Sequence, residues 1–264
     1  MLPARFELHR PARIEEALAL RARLGDDATF YAGGTELLVA LKARVLRYGH
    51  LVDLKRIDAL RGIVLREDGT LAIGALATHH EIASHPHVRE RQPAYAALSA
   101  DVANIRVRAA GTLGGNLCFA EPHADPPALL CALEARVVLA GVDGERTLPM
   151  REFILGEFTT ARADGELLLR VEIPPLPPGA SAAYRAFGQL ERPAVGVAAL
   201  RAPGGHVQLW VGAIAGRPVP LACAPEEAAA AAGALEAHDD LHGSAEYKRH
   251  LVGVLARRAA EACR

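Results

Sequence analysis

Thr29-Phe-Tyr-Ala-Gly-Gly-Thr-Glu-Leu-Leu38 decides how this chain is read. The segment reads as a short strand, Ala28 to Ala32, running through the glycine pair Gly33-Gly34 into a helix that Thr35 caps and that ends near Arg44. Glycines let a backbone approach a ligand closely, and a helix N-terminus favours an anion. A plain strand-to-helix turn needs the same glycines for its dihedrals, so this segment alone leaves both readings open. It is not a G-x-G-x-x-G fingerprint, and the chain holds no Walker A pattern.

A second segment, Gly111-Thr-Leu-Gly-Gly-Asn116, again sets a hydroxyl before a glycine pair. Its amides suit a concave anion nest, although a bulge or turn has the same composition. Two such loops closing on opposite sides of one diphosphate fit a dinucleotide better than a single phosphate. On that geometry, a β-branched residue at Gly33, Gly34, Gly114 or Gly115 releases the ligand with little loss of fold. The third segment is Glu121-Pro-His-Ala-Asp-Pro-Pro127. Asp125 before Pro126 is a standard helix start, with aspartate as N-cap and proline at the first helical position. A carboxylate repels phosphate, so a ligand role for Asp125 means accepting hydrogen bonds from sugar hydroxyls.

Around these segments the chain divides into three modules. Residues 1–60 read as strand–helix–strand, with Ile14 to Leu24 helical and a second strand at Leu51 to Leu54. Residues 61–175 read as an antiparallel sheet carrying helices. Its hairpins turn at Glu67-Asp-Gly69 and Val142-Asp-Gly-Glu145, and helices fall near 79–84, 91–101 and 126–135. Pro174-Pro-Leu-Pro-Pro-Gly179 is a linker, since such a run fits neither a central strand nor a helix interior. Residues 177–264 follow as strands near 183–188, 194–201 and 206–214, then helices near 225–236 and 244–262, the last capped by Ser244. The fold class is α+β.

Composition excludes several function classes. The 264 residues are 51% hydrophobic and 23% charged, ordinary for a globular chain. Thirty basic against 31 acidic side chains give a net charge of −1, without the footprint of a general nucleic-acid binder. No apolar run is long enough for membrane insertion, and the N-terminus lacks a secretory stretch, so a cytoplasmic protein is expected. The four cysteines are dispersed and form no C-x-x-C, which leaves no thiolate set for zinc or an iron–sulfur cluster. His79, His80, His85 and His87 lie close in sequence, as do Asp239 and His242, without a convergent ligand set. No metal site is expected.

Taken together, the motifs resemble the FAD-binding medium subunit of the molybdenum hydroxylases, the family of carbon monoxide dehydrogenase and xanthine dehydrogenase. The resemblance rests on Ala32-Gly-Gly-Thr-Glu-Leu-Leu38, Thr112-Leu-Gly-Gly-Asn-Leu117 and Asp125-Pro-Pro-Ala-Leu-Leu130, supported by Leu51-Val-Asp-Leu54, Ile73-Gly-Ala-Leu-Ala-Thr-His79 and Glu166 to Pro174. It spans the whole chain. It implies a two-subdomain FAD-binding fold of the vanillyl-alcohol-oxidase (PCMH) type and a small α+β C-terminal domain. Tyr31, Ala32, Gly33, Gly34, Thr35, Glu36 and Leu37 would wrap the FAD diphosphate. Thr112, Gly114, Gly115 and Asn116 would close its second side, and Asp125 would bind the sugar-alcohol hydroxyls. Leu168 would lie beside the flavin, with Thr78 a further contact. A molybdopterin-binding large subunit would hydroxylate the substrate, and a [2Fe-2S] small subunit would pass electrons to this FAD and on to an external acceptor. The assembly implied is a dimer of heterotrimers.

Two departures stand out. Many relatives carry lysine where Ala186 stands and asparagine where Ala109 stands. A missing lysine removes a positive charge that favours anionic reduced flavin. Arg185, one position along the strand, is expected on the opposite face. Two rival readings accompany the subunit reading: a self-contained FAD-dependent reductase of the same superfamily, and a degenerate scaffold without redox chemistry.

Overall fold

The computed structural model describes residues 2–188 and 191–263. Among the described residues, three main sheets occupy successive stretches of the chain, with a two-stranded ribbon, Ile154–Gly156 and Thr159–Thr160, beside the second. The first is parallel, with Glu7–His9 and Ala28–Tyr31 flanking His50–Asp53. Helices Ile14–Leu24 and Leu37–Ala43 make its crossovers. The connections follow the expected strand–helix–strand pattern, and the edge strand Glu7–His9 is an addition to it.

The second sheet is antiparallel, in the order Ile63–Leu65, Leu71–Gly74, Leu167–Ile173, Arg136–Gly141, Gly144–Pro149. Its hairpins turn where Asp-Gly was placed: Gly69 sits at φ 83° and Gly144 at φ 114°, both in the left-handed region that glycine tolerates. Leu167–Ile173 is paired on both sides and buries Leu167, Leu168, Leu169, Val171 and Ile173. Its two faces therefore serve two cores. Leu168, Val171 and Ile173 pack under helices that include Pro93–Asp101 and Pro126–Ala132, while Leu167 and Leu169 meet Ala17, Leu18 and Val52 of the first unit. Pro93–Asp101 is the helix expected near 91–101, and Pro86–Arg91 is an additional helix before it, ended because Pro93 lacks the amide needed to continue it.

Beyond the irregular proline run, the third sheet orders Ser181–Phe187, Val195–Arg201, Val207–Gly212 and Val219–Leu221, all antiparallel. Helix Ala245–Ala262 covers one face of it, with the Ser244 hydroxyl accepting from the Tyr247 amide as expected of its cap. The Ala-rich segment before it forms only short turns, Pro225–Glu227, Ala228–Ala231 and Ala232–Ala234, instead of one helix. Among the described residues no helix is long and apolar enough to cross a membrane.

Candidate functional site

The site begins where the parallel strands end. At the C-terminal edge of such a sheet the loops leave a crevice that characteristically receives ligands. The Gly33-Gly34 loop lies there, and it rests on the second motif. A Cβ on Gly33 would overlap the Ala110 carbonyl and meet Gly111 Cα at 3.1 Å. A Cβ on Gly111 would lie 3.3 Å from Thr35 Oγ1. The two glycine motifs, distant in sequence, are thus in van der Waals contact.

Their amides differ. Among the described residues, Gly33, Gly34, Thr35 and Glu36 donate no backbone hydrogen bond to another part of the chain. The helix starts at Leu37 and not at Thr35, with the Leu38 amide donating to the Gly34 carbonyl at 3.0 Å. Glu36 already has helical dihedrals, so neither side chain turns back as a cap. The consequence is a run of free donors, the chemistry of an anion cradle.

The second motif corrects the expectation of an anion nest. Gly114, Gly115 and Asn116 are not a loop; they form the first turn of helix Leu113–Phe119. The Leu113 and Gly114 amides donate to Ala77 and Ala75 carbonyls, and the Gly115 amide donates to Thr112 Oγ1 at 3.1 Å. These amides are engaged within the protein. Gly114 is small because its helix packs on Ala75, where a Cβ would sit 2.9 Å from the carbonyl oxygen. Gly34, at φ 77°, would press a Cβ on Tyr31 and Leu38. Substitution at Gly33, Gly34 or Gly114 therefore disturbs the protein's own packing, contrary to the expectation of a nearly intact fold. What the second motif offers is Asn116 Oδ1, buried and without a hydrogen-bond donor among the described residues. An orphaned acceptor suits a ligand hydroxyl or N–H.

Thr78 lies beside this wall, bridged to Thr112. Its hydroxyl is engaged in a capping box with Glu81, accepting from the Glu81 amide and donating to the carboxylate. Leu168 is buried in the core behind the crevice, next to Leu169, whose carbonyl accepts from the Ala75 amide.

Asp125 stands in a neighbouring cleft of about 420 Å³ between the second and third sheets, lined also by Tyr184, Arg185, Ala186 and Arg192. It occupies the N-cap position but makes no cap, which corrects the second expectation. Its own dihedrals are helical instead of the extended ones a capping residue adopts, so the carboxylate does not turn back on the first turn. Instead Asp125 Oδ1 accepts from the Tyr184 hydroxyl at 3.0 Å, while Oδ2 has no donor among the described residues. Burial raises the carboxyl to about 6, partly opposed by the Tyr184 hydrogen bond. Arg185 is exposed, and its Nη1 donates to the neighbouring Tyr184 carbonyl at 2.9 Å.

Three residues without a recognisable local signature complete the site. Lys55, just past the strand His50–Asp53, holds its ammonium 3.6 Å from the Tyr31 ring centroid and donates to the Ala32 carbonyl at 3.3 Å. That places a cation at the root of the glycine loop. Arg192 Nη2 donates to both Glu36 oxygens, at 2.8 and 2.7 Å, and Nη1 lies 3.0 Å from Glu121. Tyr184 needs Gly196 opposite it, where a Cβ would overlap the phenol.

The site's donors and acceptors fit a flavin dinucleotide: free amides with a nearby ammonium for phosphate, and Asn116 and Asp125 as acceptors for hydroxyls. Comparison with known proteins agrees. Residues 4–176 match the family described as FAD binding domain in molybdopterin dehydrogenase. The carbon monoxide dehydrogenase medium chain of Hydrogenophaga pseudoflava is 34% identical, over 99% of this chain and 98% of that protein. The 6-hydroxypseudooxynicotine dehydrogenase complex subunit alpha of Paenarthrobacter nicotinovorans is 32% identical, over 98% and 94% respectively. Among solved structures, carbon monoxide dehydrogenase from Hydrogenophaga pseudoflava superposes with a TM-score of 0.94 at 33% identity, covering 100% of this chain and 98% of the other.

Proposed function

The chain belongs to the family of FAD-binding medium subunits of the molybdenum hydroxylases, and from that premise we propose that it relays electrons from a [2Fe-2S] partner subunit through FAD to an external acceptor. Its fold is the α+β, PCMH-type FAD-binding arrangement with an additional C-terminal sheet. The modules are 1–60, 61–175 and 177–264, and the complex is a dimer of heterotrimers with a molybdopterin-binding large subunit.

One observation carries the assignment of residues: the contact of Gly33 with Ala110 and Gly111, which brings both glycine motifs to one crevice. On this reading the amides of Gly33 to Glu36 receive the diphosphate, and Tyr31, Ala32 and Leu37 shape the loop around it. Thr112 positions the helix turn of Gly114 and Gly115 so that the Asn116 carbonyl faces the ligand, with Thr78 and Leu168 in the supporting wall. Asp125 Oδ2 accepts from the ribityl chain while Tyr184 fixes the carboxylate's orientation. Bound FAD supplies a carrier that accepts and releases electrons. Arg192, held between Glu36 and Glu121, is the cation beside the adjoining cleft where Ala186 supplies none.

The test has two stages. FAD titrated into the apo-chain should bind one per chain, and loss of binding in a Gly33→Val variant that still unfolds cooperatively supports the cradle. Reduction of that FAD should then require the [2Fe-2S] partner. Steady-state turnover by the isolated chain would instead favour the self-contained reductase, and FAD that binds without accepting electrons from the partner would favour the scaffold.

A further inference from the structure

At the end of the first sheet remote from the glycine loop, Glu7, His9 and His50 converge. Parallel pairing sets Glu7 opposite His50, and Glu7 and His9, two residues apart, share a face. His9 Nε2 lies 3.1 Å from His50 Nδ1. The two Glu7 oxygens lie 3.7 Å from the first nitrogen and 3.6 Å from the second. We propose that this triad is a zinc site, independent of the flavin reading, which clamps the N-terminal strand to the sheet.

The spacing supports it. Zinc bonds to imidazole and carboxylate of about 2.0–2.2 Å place tetrahedral ligands about 3.3–3.5 Å apart, close to the separations found here. Two imidazoles and one carboxylate select a borderline cation such as Zn²⁺ over Mg²⁺ or Ca²⁺, which prefer all-oxygen shells. The surroundings orient the ligands. Asp27 Oδ2 lies 3.9 Å from His50 Nε2, the nitrogen turned away from the triad. A carboxylate on that side favours a proton on Nε2 and leaves the Nδ1 lone pair for metal. Asp27 is held there by the Gly49 amide, which donates to Oδ1 at 2.8 Å, and any Cβ at position 49 would collide with the carboxylate. Glu7 is 66% exposed, so solvent can reach the fourth position. The strand it tethers, Glu7–His9, is only three residues long and pairs on one side.

Titration of the full chain with ZnCl₂, against MgCl₂, tests the site by calorimetry and by thermal midpoint. One Zn²⁺ per chain and a midpoint raised by zinc alone are expected. His9→Gln and His50→Gln should each weaken zinc binding at least tenfold, and Asp27→Asn about tenfold. Failure of the wild type to bind zinc overturns the proposal, as does undiminished affinity in the two histidine variants. Loss of binding in a His85→Gln/His87→Gln control also overturns it. Should the site variants not fold, Co²⁺ substitution of the wild type decides. Tetrahedral ligand-field bands without a thiolate charge-transfer band support the triad, and a thiolate band refutes it.

Discussion

Tyr184, on the first strand of the C-terminal sheet, donates its hydroxyl to Asp125 at 3.0 Å and thereby joins that sheet to the helix Pro126–Ala132 of the central unit. The bond orients a carboxyl that burial lifts from 3.8 to about 6. A raised carboxylate pKa means the folded apo-chain holds a proton between about pH 4 and 6 that the unfolded chain has lost, so this group's stabilising contribution falls as pH rises through that window.

FAD affinity should move the other way. A ligand hydroxyl donating to Oδ2 favours the ionised form, so binding releases a proton below pH 6. Affinity should rise by about tenfold per pH unit from 5 towards 6 and level off above it. Equilibrium titration by flavin fluorescence checks this, and Asp125→Asn should flatten the profile.

His79 gives a contrary signal in the same range. Burial, with the Arg108 charge second, lowers its imidazole from 6.5 to about 4. The unfolded chain therefore binds a proton that the native one refuses, and stability should decline as pH falls from 6.5 to 4. The full effect is about 3 kcal/mol. Thermal midpoints of His79→Gln should show a shallower acid decline than the wild type.

Gly33→Ala adds a methyl where the Ala110 carbonyl already lies. Overpacking of this kind costs about 1–3 kcal/mol. Both a lowered midpoint and weakened FAD retention are expected, measured by differential scanning calorimetry and by absorbance after gel filtration.

Arg192→Met leaves the Glu36 and Glu121 carboxylates facing each other without their shared cation. Because Arg192 is 43% exposed, the stability loss should be small, about 1 kcal/mol or less. Movement of the glycine loop should be larger, read as faster limited proteolysis between Gly33 and Glu36.

Much of this architecture was legible where local chemistry is decisive. Asp-Gly pairs marked both hairpin turns, and Ser244 marked its helix. The flavin motifs were legible as motifs, but their mechanics were not. Gly114 and Gly115 signalled ligand approach, yet Gly114 is dictated by Ala75, a neighbour that only the tertiary fold supplies. Asp125 followed by proline reads as a cap, but its backbone is already helical, and that is set by the tertiary packing and not by the local sequence. Lys55 and Arg192 carry no spacing signature, since their partners lie 23 and 156 residues away.

Arg192 also sets a schedule. It fastens the glycine loop, made early in translation, to a segment made some 156 residues later, and the carbonyl of its neighbour Pro193 accepts from His123 Nδ1 in between. A ribosome releasing this polypeptide has emitted most of it before the cleft has its third wall. On the proposed reading, FAD insertion therefore follows synthesis past position 192, and nascent fragments truncated ahead of it should leave the ribosome without FAD.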